Sequence, residues 1–287
     1  MNAEWTDLVR EHARRLARAN SWPVDPRNGY VVQGDWGKLL FWRPVQEAVR
    51  KLDICWHSPG NPTSSQIMAV DLVEGLAHTG GLRLLSIDHP VCLSYEWVDK
   101  RNDLRECGMK SHVDVMISSP AEVWLFEAKY REDQDQACGT SQKTTVCESG
   151  GESVITECPL EAAYGTRYME CIRDPDGPVD CDRFLQVYSD SRKCPLLRGE
   201  VHQLVRLVAT AWAKSKRGKV WHAGILYPRG NEFIDQEVRR FRTCLRHLDS
   251  LSVFQLEDLI ASAKTMPELA QWADYAEHRY LPESARQ

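Results

Sequence analysis

The chain lacks most of the signatures that assign an enzyme at a glance. It contains no Gly-x-Ser-x-Gly elbow and no P-loop, so serine hydrolase and P-loop ATPase chemistry have no foothold. A translocating motor would have to sit on another chain. No Cys-x-x-Cys pair occurs among its ten cysteines, which removes the strongest zinc signature. No apolar run approaches the roughly 18 residues of a membrane span. The segment Met1–Ala13 carries acids early and has no unbroken apolar core. That predicts no secretory or transit peptide and a soluble, cytoplasmic protein. Internal repeats and low-complexity tracts are also missing.

What is present is ordinary for a globular chain that buries a core. The 287 residues are 43% hydrophobic and 27% charged, enough for one large domain or two modest ones. Net charge is −5, so no global basic field advertises nucleic acid. The charge is uneven, however. Between Arg198 and Arg246 there are 11 Lys and Arg against four Asp and Glu, whereas acids outnumber bases from Arg131 to Arg192. A basic region following an acidic one fits a DNA-facing surface beside a metal site. Solvated helix faces give the same pattern.

The densest information lies in His112–Tyr130. Two apolar, strand-like segments flank a Ser-Ser-Pro-Ala turn, with Asp114 in the first and Glu127 and Lys129 in the second. Residues i and i+2 of a strand share a face, so Glu127 and Lys129 project together. Pairing of the two strands as a hairpin would bring Asp114 beside them. Two carboxylates and an ammonium in an apolar setting are costly to bury. Glu-x-Lys on a half-buried strand is common by itself. Here it follows the apolar run Val123–Phe126 directly, and the Asp lies 13 residues upstream on a separate apolar strand.

The order of elements is a second, independent observation. Hydrophobic spacing predicts an opening helix over 4–18, a helix over 42–52 and a capped helix from Ser64 to the Gly80-Gly81 stop. Strands are predicted over 82–87, 91–98 and the two segments above. A helix over 201–214 and a strand over 220–227 follow. Helices over 233–247, 255–264 and 267–280 close the chain. Residues 131–199 have weak periodicity and read as an insertion. Without it, the order from Ser64 is helix, strands, helix, strand.

The motif Asp114…Glu127-Ala128-Lys129 and this αβββαβ order resemble the PD-(D/E)XK nuclease superfamily, the restriction-endonuclease-like fold. The Ser-Ser-Gln and Gln-Leu-Val-Arg helices narrow the resemblance to a group classed with the restriction endonucleases. The resemblance implies a mixed α/β domain with a central mixed sheet flanked by helices. On that basis residues 1–63 are a helical lead-in, 64–228 the nuclease-like core with insertion 131–199, and 229–287 a helical C-terminal segment. It also implies a Mg²⁺-dependent endonuclease acting on DNA. Asp114 and Glu127 would bind one or two ions, with the Ala128 carbonyl as a further oxygen. Lys129 would orient the attacking water or stabilise developing charge. Magnesium favours carboxylate oxygen and water, and it lowers the pKa of bound water while clamping phosphate oxygens.

Many members of the superfamily add an acid from the helix before the sheet. Glu74 is the candidate there, with Gln66 able to share its face and Glu47 as the rival. Some relatives also place a glutamine from the later helix near the metal, which singles out Gln203, with His202 and Arg206 close by. A helix N-terminus favours phosphate. Each of these residues also fits a plain surface or amphipathic role.

Six cysteines, Cys138, Cys147, Cys158, Cys171, Cys181 and Cys194, fall in the insertion at gaps of 9, 11, 13, 10 and 13 residues. Some nucleases of this superfamily carry an iron–sulfur cluster on cysteines flanking the core. A zinc or iron–sulfur site is therefore one reading, since thiolates from separate loops can converge. Reduced structural thiols are the other. His57, His89 and His222 are not spaced as a metal set.

The leading reading is thus a DNA endonuclease of restriction or defence type. A repair or recombination nuclease of the same fold is one alternative. A catalytically silent DNA-binding or Cys-metal interaction module is another, although a silent site need not retain costly charges. Cutting two strands calls for two active sites, which a homodimer would supply.

Overall fold

A computed structural model describes residues 3–34, 36–40, 45–47, 60–90, 92–105, 112–131, 167–188, 201–216 and 218–285. Helix α1 spans Ala3–Ala19, with Trp5, Val9, Ala13 and Leu16 buried along one stripe. Helix α2, Ser65–His78, is buried almost all round, from Gln66 through Leu76, as expected of a helix enclosed by other elements rather than lying on the surface. Ser64 stands at its N-cap in extended geometry without a side-chain capping bond. The helix stops where Gly80 adopts φ +72°, a left-handed conformation open to glycine.

Residues 82–87, read from sequence as a strand, instead form a 3-10 turn over Gly81–Leu85. Its apolar residues Leu82 and Leu85 still face the core, so burial was legible but the period was not. The sheet follows. Strand β1 is Cys92–Val98, β2 His112–Ser118 and β3 Glu122–Ala128. Short helices α3 (Tyr168–Arg173) and α4 (Cys181–Tyr188) precede α5 (His202–Ser215), β4 (Val220–Tyr227) and α6 (Glu232–Arg242). Then come β5 (Ser252–Gln255), α7 (Leu256–Lys264) and α8 (Ala270–Tyr280).

The sheet order is β1-β2-β3-β4-β5. The β1/β2 and β2/β3 pairs are antiparallel, whereas β3/β4 and β4/β5 are parallel. Strand β3 is buried from Val123 to Ala128, the continuous apolar reading of a central strand covered on both faces. One apolar layer packs α2, α7 and α8 with α1 against Val115, Trp124 and Phe126. The other packs α3 to α6 against Val123, Leu125, Ala223 and Ile225. The chain is therefore a mixed α/β protein with a restriction-endonuclease-like core. The short strand β5, which spacing did not predict, adds the fifth strand from the C-terminal segment.

Candidate active site

Strands β2 and β3 part company where the charged residues stand. Strand β2 pairs β1 over its whole length, His112–Ser118, but pairs β3 only over Val115–Ser118. Asp114 is the first residue beyond the shared register. Its carboxylate Oδ2 accepts the backbone N–H of Ala128 at 2.7 Å, a donor left without a strand partner by the separation. Buried backbone donors require a partner, so the side chain completes the ladder.

The faces also change there. Leu93 and Tyr95 of β1, and Val115 and Ile117 of β2, pack toward the α2 layer, while Trp97 and Val113 pack toward the α5 layer. Glu96 lies at the switch, between the pairs Tyr95↔Val115 and Trp97↔Val113. It holds φ +48°, a left-handed conformation costing a non-glycine residue about 1–3 kcal/mol and concentrated at functional sites.

Glu127 and Lys129 project together from the end of β3, each buried, at 7% and 6% exposure. Lys129 Nζ donates to Glu127 Oε1 at 3.1 Å and to Oε1 of Gln203, in the first turn of α5. The Lys129 backbone N–H donates to the Leu226 carbonyl at 2.9 Å, which ties it to β4. The next residue is anchored by both ends of the chain. The Tyr130 carbonyl accepts Trp5 Nε1 at 2.8 Å, and its hydroxyl donates to the Tyr280 carbonyl at 3.0 Å. The Lys129-Tyr130 segment is thus held by helices from three parts of the sequence, α5 at the ammonium and α1 and α8 at Tyr130.

Electrostatically, Asp114 is the stressed member. Burial pushes its carboxyl well above the usual aspartate range, and the Glu127 charge pushes further. Lys129 and the Ala128 N–H oppose this, and Glu96 adds to it. Two neighbouring acids, one of them raised by burial and by the other's charge, are a donor set that could take a hard divalent cation. Among the described residues no third His, Cys, Asp or Glu completes a protein-only cage. Magnesium, which takes one or two carboxylates and keeps several waters, fits Asp114 and Glu127.

The other sequence candidates are distributed as follows. Glu74 lies with the α2 layer, where its Oε2 accepts the Tyr95 hydroxyl at 2.6 Å and its Oε1 lies 3.6 Å from His78 Nδ1. Gln66 is buried in the first turn of the same helix. Glu47 is in the short helical stretch 45–47. Gln203 meets Lys129, whereas His202 is buried edge-to-face with Tyr168 at 5.7 Å. Arg206 donates to the His112 carbonyl at 3.3 Å. Of the insertion cysteines, Cys138, Cys147, Cys158 and Cys194 lie outside the described residues. Cys171 is buried and bonds the Tyr168 carbonyl at 2.9 Å, its thiol pushed well up by burial. Cys181 is half-buried at the start of α4. Sequence reading passed over Glu96 and also Glu237 of α6, which lines the cavity beside Glu127, Lys129 and Gln203. An isolated acid on a predicted strand or helix carries no motif that would have marked either one.

A helix, three antiparallel strands, a helix and a parallel strand are the core of the restriction-endonuclease-like class. The comparison with known families is more particular. The family model REase-ARP, described as "Restriction Endonuclease associating with ARP", matches residues 30–281, and the chain belongs to that family. No curated protein and no solved structure matches it significantly.

Proposed function

We propose that this protein is a Mg²⁺-dependent endonuclease that hydrolyses phosphodiester bonds in DNA in a restriction or defence setting. The observation that carries the reading is the Lys129 ammonium fixed between Glu127 and Gln203, with Asp114 hydrogen-bonded to the intervening Ala128 N–H. Asp114 and Glu127 would hold the metal, which supplies a lowered pKa for water and charge neutralisation at the phosphate. Lys129 would orient the attacking water and meet the charge that develops on the phosphoryl oxygens, a task for a preorganised donor. Gln203 would fix the direction of that donor. Glu127 would pair with the lysine in its enclosed position.

The family description names ARP as an associate, and we extend that association to this chain. No helix among the described residues is long and apolar enough to cross a membrane. A homodimer would supply the second active site for double-strand cutting. The test is cleavage of plasmid and bacteriophage DNA by purified protein with and without Mg²⁺, beside Lys129→Ala. Metal-dependent cutting lost in the variant supports the assignment, and cutting that survives it sinks the site.

A further inference from the structure

On the α5 side of the sheet, an open groove of about 660 Å³ lies between the end of β1 and the turn joining α5 to β4. Two half-buried indoles line it. Trp97 and Trp221 have ring centroids 5.9 Å apart and planes at 50°. Lys214 pins both, its Nζ lying 5.4 Å and 5.8 Å from the two ring centroids. The charge of Lys214 is spent inside the protein, since Asp99 and Asp103 each approach it to 2.5 Å. The exposed cations of the lining are Lys100, Arg101 and Lys219. With Asp99 engaged by Lys214, the remaining carboxylate of the lining is Glu96, the residue that faces Asp114 across the β1/β2 pair. The groove therefore begins one strand away from the catalytic carboxylate.

Aromatic planes bordered by cations fit a polyanion that carries π-faces. A nucleobase supplies the face and its phosphates supply the charge. Bases inside a duplex are already stacked and unavailable. The groove's volume falls in the range of small-ligand sites, about 300–1,000 Å³, which suits a nucleotide or two and not a double helix. We propose that this groove binds an unpaired segment of the DNA strand, with bases stacked on Trp97 and Trp221 and phosphates on Lys100, Arg101 and Lys219. Placing that segment next to the scissile bond rests on the nuclease reading; the binding itself does not.

The experiment measures dissociation constants of a labelled single-stranded oligodeoxynucleotide and of its duplex in an Asp114→Asn background with chelator. Single strand should bind at least tenfold tighter than duplex. Trp221→Ala should weaken it about tenfold or more, the loss of one stacked base, while Trp221→Phe keeps most of the affinity. Because both indoles also pack on the core, the triple variant Lys100→Ala/Arg101→Ala/Lys219→Ala provides a test that disturbs no packing. It should lower the slope of log affinity against log salt by about 2, near 0.7 for each phosphate no longer neutralised. Equal affinity for single strand and duplex, or an unchanged salt slope in the triple variant, overturns the proposal. Single-strand binding that depends on Trp221 without any Mg²⁺-dependent cleavage would leave the groove standing and remove the nuclease reading. Cleavage with unaltered KM in a folded Trp221→Ala protein would do the reverse.

Discussion

The carboxylate of Asp114 accepts the Ala128 N–H at 2.7 Å at the point where β2 leaves β3. One oxygen completes the backbone ladder and the other is left for chemistry, so two conservative changes separate the two tasks. Asp114→Asn keeps an acceptor for the N–H and removes the charge. Asp114→Ala removes both, leaving a buried donor unmatched at a cost of about 1–3 kcal/mol. Both variants are expected to lose cleavage, but only the alanine should melt clearly below wild type. Equal destabilisation by the two would show that the Ala128 bond carries no weight.

The pH dependence of the metal-free protein follows from the same carboxyl. Its folded pKa is raised, chiefly by burial and then by Glu127. A raised acid binds its proton more tightly in the folded state. Its contribution to stability is therefore complete below the unfolded value, about 3.9, and is lost as pH rises through the folded value. In chelator, the stability difference between wild type and Asp114→Asn should move against wild type across that interval. Added Mg²⁺ should recover the loss in wild type and leave the variant unmoved. Urea denaturation at a series of pH values reads both, and a pH-independent difference would place the Asp114 charge outside the enclosed site.

The sequence made the strand positions of Glu127 and Lys129 legible because period two is unambiguous in a run as apolar as Val123–Phe126. It also made Gln203 legible, because helix α5 opens there. The Asp114 geometry was not legible. Nothing local says that β2 separates from β3 after Val115, since that depends on where β1, with its left-handed residue Glu96, carries the ribbon. Glu74 shows the converse. Its helix is legible from spacing, yet the Tyr95 hydroxyl at 2.6 Å engages it in the α2 layer. Which acids converge is decided by packing between elements, to which spacing within one element is blind. The 3-10 turn at Gly81–Leu85 resembles a strand in sequence for a related reason, as a short apolar stretch carries burial without period.

Lys129 and Gln203 separate chemistry from positioning. Lys129→Met keeps the buried stem and removes the ammonium, and turnover should fall by a factor of about 10²–10⁴. DNA affinity in the absence of metal should hold within a few-fold. Gln203→Leu leaves the ammonium in place but removes an acceptor that directs it, so kcat should fall by a smaller factor while Lys129→Met/Gln203→Leu is no slower than Lys129→Met alone. Single-turnover cleavage measures all three. Independent, multiplying losses would mean that Gln203 does not act through the lysine.

Gly224 of β4 tests the central packing. A Cβ added there would meet the Phe126 ring at 2.6 Å, and that ring forms a triangle with Trp124 and Phe254, its centroid 5.7 Å from each while theirs lie 6.3 Å apart. Gly224→Ala should cost about 1–3 kcal/mol, as overpacking does in a filled core. Gly224→Ala/Phe126→Leu should recover part of it, and thermal melting of the two shows whether the ring is the obstacle.

Lys214 carries the last prediction, because it is one cation between two buried carboxylates. Lys214 and Asp103 are 6% exposed and Asp99 is 1% exposed, and each carboxylate lies 2.5 Å from the ammonium. Removing the cation leaves two buried anions facing one another. Breaking such a cluster from one side costs about 3–5 kcal/mol, so Lys214→Met should be among the most destabilising single changes outside the apolar core. Asp103→Asn should cost less, since Asp99 still pairs the lysine and the neutral amide still offers an oxygen. The sign of the double mutant is the informative part. With Asp103 neutralised, loss of the lysine strands one anion and not two, so Lys214→Met/Asp103→Asn should be more stable than Lys214→Met alone. Urea titration decides it, and strictly additive losses would show that the three charges do not act as a unit.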